Sequence, residues 1–129
     1  MGERDKSCHV ILVVDDNESI RELLSVFLSC SGYDVIEARD GLEAVKVATR
    51  VCPDLIIMDL SMPVLDGFGA VRLLREVPQV REVPVIACTA FDTSTHRLQA
   101  MAVGFNEFLS KPIDFTQLDF LLGRFLRTA

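Results

Sequence analysis

Long apolar runs are absent from this chain. The longest uninterrupted ones, Val10–Val14 and Leu55–Met58, fall far short of the ~20 residues that a bilayer-spanning helix needs. A secretory signal is missing too: Met1 to Lys6 is charged, and the apolar stretch after it stops at Asp15 and Asp16. Lys6 stands where a myristoylation signal needs Ser or Thr. The expected location is the cytoplasm, away from any membrane. Basic residues are few, 13 against 19 acidic ones, and the net charge of −6 argues against a surface built on nucleic-acid phosphate contacts. Cys8, Cys30, Cys52 and Cys88 form no C-x-x-C pair, and only His9 and His96 are there to complete a metal site. The cysteines read as reduced, partly buried small apolar residues, and the histidines as surface imidazoles. No repeat, low-complexity tract or linker interrupts the pattern. With 129 residues, two domains would each be too small for an ordinary core, so residues 1–129 read as one.

What is there is alternation. Val10–Val14, Val35–Glu37, Leu55–Met58, Val85–Cys88 and Glu107–Leu109 are short apolar or β-branched runs that predict strands. Ile20, Leu23, Leu24, Phe27 and Leu28 recur at helical spacing and end at Gly32. Asp40 and Glu43 form a capping-box pattern opening a second helix around Gly41–Arg50. Asp66 caps a third through Phe68, Val71 and Leu74. A fourth carries Leu98, Met101 and Ala102 and stops before Gly104, and a fifth carries Phe115, Leu118, Leu122, Phe125 and Leu126. Strand followed by helix, five times over, predicts an α/β fold: a doubly wound, five-stranded parallel sheet with helices on both faces. The first and third strands, the least interrupted, belong near its centre.

In such sheets the ligand site lies beyond the carboxyl ends of the strands. Asp15 and Asp16 follow the first strand, Asp59 the third, Thr89 ends the fourth, and Lys111-Pro112 follows the fifth. Each alone is ordinary cap or turn chemistry; together they share one edge of the sheet. Two carboxylates ~4 Å apart repel by about 4 kcal/mol at an effective dielectric near 20. A counter-cation is therefore expected, and oxygen-only ligands select a hard ion such as Mg²⁺. An ammonium, a hydroxyl and a divalent ion around one carboxylate suit a phosphoryl group attached to it.

With these residues in place, the sequence resembles the receiver domain of two-component response regulators from about His9 to Arg127. The most specific stretch is Met58-Asp59-Leu60-Ser61-Met62-Pro63-Val64-Leu65-Asp66-Gly67. Val13-Val14-Asp15-Asp16-Asn17-Glu18, Thr89-Ala90 and Lys111-Pro112 match the remaining signatures in order. The resemblance implies the flavodoxin-like strand order 2-1-3-4-5 and makes Asp59 the phosphoacceptor. It implies that Asp16, Asp59 and the Ser61 backbone carbonyl hold Mg²⁺, with Asp15 joining directly or through water. Lys111, beside a cis Pro112, and the Thr89 hydroxyl would contact the phosphoryl oxygens. Phe108 takes the switch-aromatic position, without the hydroxyl many members have, and Ser61 and Phe91 take positions that tune dephosphorylation.

The expected donor is a phosphohistidine of a histidine kinase or a histidine phosphotransfer protein. Water would then remove the group from Asp59, which makes a self-catalysing switch and not a turnover enzyme. With the fifth helix ending close to Ala129, the expectation is a receiver with no output domain. It would act by contact with a downstream protein or by relaying the phosphoryl group onward. Thr89 and Phe108 point to a readout face built from the fourth and fifth strands and helices, with Phe108 turning from exposed to buried. Phe120, opposite the apolar stripe with Arg124 and Arg127, would anchor a partner there, or a second copy through the fourth helix, fifth strand and fifth helix. A phosphatase of the haloacid dehalogenase kind is the remote alternative, but it places Asp-x-Asp after the first strand, where this chain has Asn17 as the third residue. A flavodoxin-type carrier would bring a flavin phosphate against Asp15 and Asp16, which repel it.

Overall fold

Ten elements alternate along the described residues in the predicted order. They are β1 (Val10–Val14), α1 (Glu18–Cys30), β2 (Asp34–Ala38), α2 (Gly41–Val51), β3 (Leu55–Met58), α3 (Gly67–Leu74), β4 (Val85–Thr89), α4 (Ser94–Val103), β5 (Glu107–Ser110) and α5 (Phe115–Leu126). The structure, a computed structural model, describes residues 9–90 and 94–126. The strands form one parallel sheet in the order β2-β1-β3-β4-β5. β1, β3 and β4 are interior, which is why their residues are apolar on both sides.

Successive strand residues point to opposite faces and feed two cores. Leu12, Val14, Ile56, Met58, Val85 and Ala87 pack with Ala44 and Ala48 of α2, Val71 and Leu74 of α3, and Ala100 of α4. Ile11, Val13, Leu55, Ile57, Ile86 and Cys88 pack with Leu24 and Leu28 of α1 and Leu118 and Leu122 of α5. The helix starts are fixed by side-chain caps: Asn17 accepts from the Ile20 N–H, Asp40 from Glu43 and Asp66 from Gly69. The Glu43 carboxylate reaches back to the Arg39 N–H at 2.7 Å, one residue before the position an ordinary capping box uses. Gly32 (φ 97°) and Gly104 (φ 120°) take the left-handed turns after α1 and α4.

Three sequence expectations about faces are corrected. Leu23 lies on the outer side of α1 and is exposed, while the stripe is carried by Leu24 and Leu28. On α4 the expected inner residues are outward: Leu98 is 72% exposed, and Met101 and Ala102 are also exposed. The small Ala100 meets the core instead. His9 and His96 are half-buried, not surface imidazoles. Elsewhere α5 buries Leu121 beside the expected stripe and leaves Phe120 66% exposed, as its spacing predicts. Among the described residues no helix is long and apolar enough to cross a membrane.

Candidate functional site

Because every strand runs the same way, the carboxyl ends of β1, β3, β4 and β5 open on one edge. Asp15 continues β1; its N–H bonds the Ala38 carbonyl at the end of β2, and its Oδ1 accepts from the Asn17 N–H. Asp59 continues β3 and is stitched to β1 through its N–H to the Val14 carbonyl (3.0 Å). Both side chains are buried, whereas Asp16 is exposed. Carboxylate oxygens of Asp15, Asp16 and Asp59 lie within 4.8 Å of one another, the one such group of potential ligands among the described residues. Lys111 leaves β5 with its N–H on the Thr89 carbonyl (2.9 Å), so β4 and β5 are held together at this edge. Its ammonium stands 2.8 Å from Asp15 Oδ2 and 3.4 Å from Asp59 Oδ2. Thr89 is fully buried at the end of β4, and the Lys111–Pro112 peptide is cis.

The electrostatics follow from burial. Burial pushes the Asp59 carboxyl above its usual range; the Lys111 ammonium opposes this, the Asp15 charge adds to it, and the Ser61 N–H, 3.2 Å from Oδ1, pulls it down. Burial works against the charge on Lys111, yet the hydrogen bond to Asp15 and the charges of Asp59 and Asp15 raise its pKa overall. Among the described residues, the Lys111 ammonium against the three carboxylates leaves excess negative charge at the edge. All the donors are hard oxygens, so the residues present fit Mg²⁺ and not a softer ion. Cys88, buried one residue before Thr89, has its thiol pushed up to about 12 by burial and stays protonated.

The loop after Asp59 is held by two close approaches. Gly67 opens α3 with its N–H on the Leu60 carbonyl, and a Cβ there would stand 2.5 Å from the Asp59 carbonyl oxygen. Gly41 opens α2 with its N–H on the Leu65 carbonyl, and a Cβ there would collide with that oxygen. Between them Val64 sits at φ 70°, spanned by a bond from the Leu65 N–H to the Pro63 carbonyl (2.8 Å). A β-branched residue there is strained. A cleft of about 380 Å³ adjoins this loop, lined by Ser61, Met62, Phe68 and His96 among others.

The family model for the response regulator receiver domain matches residues 11–122. The chain belongs to that family. Response regulator PleD of Caulobacter vibrioides is 43% identical over 108 residues, 84% of this chain but 24% of PleD, so most of PleD lies outside the likeness. Among solved structures, chemotaxis protein CheY4 of Vibrio cholerae is 36% identical with a TM-score of 0.86, covering 92% of this chain and 98% of that one. The receiver domain of sensor histidine kinase PA1611 from Pseudomonas aeruginosa has the same identity and TM-score, over 93% and 98%. That structure has a magnesium ion coordinated in its active-site cleft. The acidic site of this receiver domain is compatible with Mg²⁺ binding and aspartate phosphorylation.

The residues named from sequence thus divide unequally. Asp15, Asp16, Asp59 and Lys111 are brought together, with Ser61 bonded to Asp59 and Thr89 to Lys111. Phe91 lies outside the described residues. Phe108 is already buried in this structure, 4% exposed, so the exposed starting position expected for it is corrected. Its ring faces the core of α2–α4, and the Arg97 guanidinium lies 4.6 Å over it, in place of any hydroxyl bond. Sequence reasoning missed Arg21 and Gly41, whose partners are remote in the chain; the helix-opening Gly41 was read only as the start of α2.

Proposed function

We propose that Asp59 accepts a phosphoryl group from a phosphohistidine of a histidine kinase or histidine phosphotransfer protein. The reading rests on one observation: a buried carboxylate ends β3 beside two further carboxylates and one ammonium. Asp15, Asp16, Asp59 and the Ser61 carbonyl would hold Mg²⁺, which when bound supplies positive charge to the phosphoryl oxygens. An Asp59 oxygen bonds to phosphorus as the P–N bond breaks, and the imidazole departs with the electron pair. Lys111, already within 3.4 Å of Asp59, needs little movement to donate to a phosphoryl oxygen. The Thr89 hydroxyl donates to another. Water later attacks phosphorus, releasing inorganic phosphate and restoring Asp59, so the domain is a switch and not a turnover enzyme. The signal passes through Thr89 and Phe108 to the face of β4, α4, β5 and α5, which a downstream protein meets.

The test is incubation with acetyl phosphate and Mg²⁺, read by intact mass. Wild type should gain one phosphoryl group and Asp59→Asn none, because the nucleophilic oxygen is gone and the shape kept. Labelling of Asp59→Asn at the wild-type rate overturns the assignment.

A further inference from the structure

Arg21 is a charged residue in the first turns of α1, yet it is 9% exposed. Arginine is rarely buried without partners. Its side chain leans towards the helix N-terminus, over the β1–α1 turn, as helix geometry directs. There Nη1 donates to the Asp15 backbone carbonyl at 2.8 Å, a fully buried bond. Nε donates to Glu37 Oε1 at 3.2 Å, and Glu37 Oε2 accepts from the Ser25 hydroxyl at 2.8 Å. Glu37 sits on β2 opposite Val13 of β1, which sets its carboxylate beside the end of β1. The guanidinium is planar and its donors fixed, so anchoring Nε on Glu37 aims Nη1 at the Asp15 carbonyl.

That carbonyl belongs to the peptide joining Asp15 to Asp16, and the peptide is rigid. On its other side, the Asp15 N–H is bonded to Ala38. Arg21 therefore controls the rotation of the one plane that relates the buried carboxylate to the exposed one. We infer that Arg21, oriented by Glu37, is a positioning residue that holds the Asp15–Asp16 peptide so that both carboxylates face Asp59. The inference rests on the Mg²⁺ site proposed above. Lysine does not substitute fully, because a single ammonium has no fixed fork to span Glu37 and the carbonyl.

The experiment titrates Mg²⁺ calorimetrically into the full chain as wild type, Arg21→Met, Arg21→Lys, Glu37→Gln and Asp16→Ala, and records metal-free melting temperatures alongside. Arg21→Met should weaken Mg²⁺ by about tenfold or more, the range seen when outer-shell partners of metal ligands are removed. Arg21→Lys should restore part of that loss, and Glu37→Gln should weaken binding by a smaller factor in the same direction. If Arg21→Met fails to fold, Arg21→Lys and Glu37→Gln decide the matter by the same readout. Lower melting temperatures with Mg²⁺ affinity unchanged would make Arg21 merely structural and overturn the inference. Wild type that binds no Mg²⁺, or Asp16→Ala that binds as wild type does, would overturn the metal site itself, and this inference with it.

Discussion

Asp59 is held where its charge is costly. Burial and the Asp15 carboxylate both raise its pKa, and Lys111 only partly opposes them. A carboxyl whose folded pKa is raised stabilises the fold fully below the ordinary carboxylate range and loses that contribution as pH rises through the folded value. Asp59→Asn should therefore raise the metal-free melting temperature at pH 7, by a few degrees, and the gain should vanish under acid conditions. Lys111 keeps Asp15 at 2.8 Å in that variant, so no ammonium is stranded. A melting temperature lowered at pH 7, or a gain that persists in acid, contradicts the charge account. Mg²⁺ held by these carboxylates would relieve the same repulsion. At ~100 times its dissociation constant it should add about 2.7 kcal/mol to wild type. Asp16→Ala should lose most of this dependence, and a wild-type melting temperature indifferent to millimolar Mg²⁺ would argue against the site.

At the scale of elements, loops are coupled to Asp59 by close backbone contact. A methyl at Gly67 would press on the Asp59 carbonyl at 2.5 Å, which is backbone and cannot swing away. Gly67→Ala should cost about 1–3 kcal/mol, as overpacking does, and should slow acetyl phosphate labelling as well. Denaturant melts and labelling rates check the pair; unchanged values for both would show that α3 can shift freely. The elements themselves were legible in the sequence, because interior strands must be apolar on both sides and the caps Asp40 and Asp66 are local signals. So were the acids and Lys111, since parallel strands send their ends to one edge. The inner face of α4 was not legible. Leu98, Met101 and Ala102 compete with Ala100 and Val103 for it, and only the space above the sheet chooses the smaller side. Arg21 and Gly41 were hidden for another reason: Glu37 and Leu65, which give them their roles, lie 16 and 24 residues away.

Across the whole molecule, the acidic edge faces one end of β4 and β5, and α4 and α5 carry the surface beside them. That surface exposes Leu98, Met101 and Phe120, while Arg124 pairs with Glu107 of β5 at 2.6 Å. Phosphorylation would add close to two negative charges at Asp59. The Thr89 hydroxyl would gain a charge-assisted bond by moving towards them, and Phe108 lies in the core on one face of the paired β4 and β5 strands. With the ring already inside, the change would reach the surface as a shift of Phe108 and of Arg97 stacked on it. Beryllofluoride should accordingly move amide resonances of α4 and β5 in wild type. In Phe108→Leu the shifts should shrink back to the Asp59 pocket. Equal propagation without the ring would exclude this route.

The central claim is that one carboxylate among three acts as nucleophile. It is tested most directly by labelling wild type with acetyl phosphate and Mg²⁺, reducing the acyl phosphate with borohydride, and sequencing the peptides by mass spectrometry. The account predicts conversion at Asp59 alone, with Asp15 and Asp16 intact. Conversion at Asp15 or Asp16, or no conversion anywhere, would contradict it.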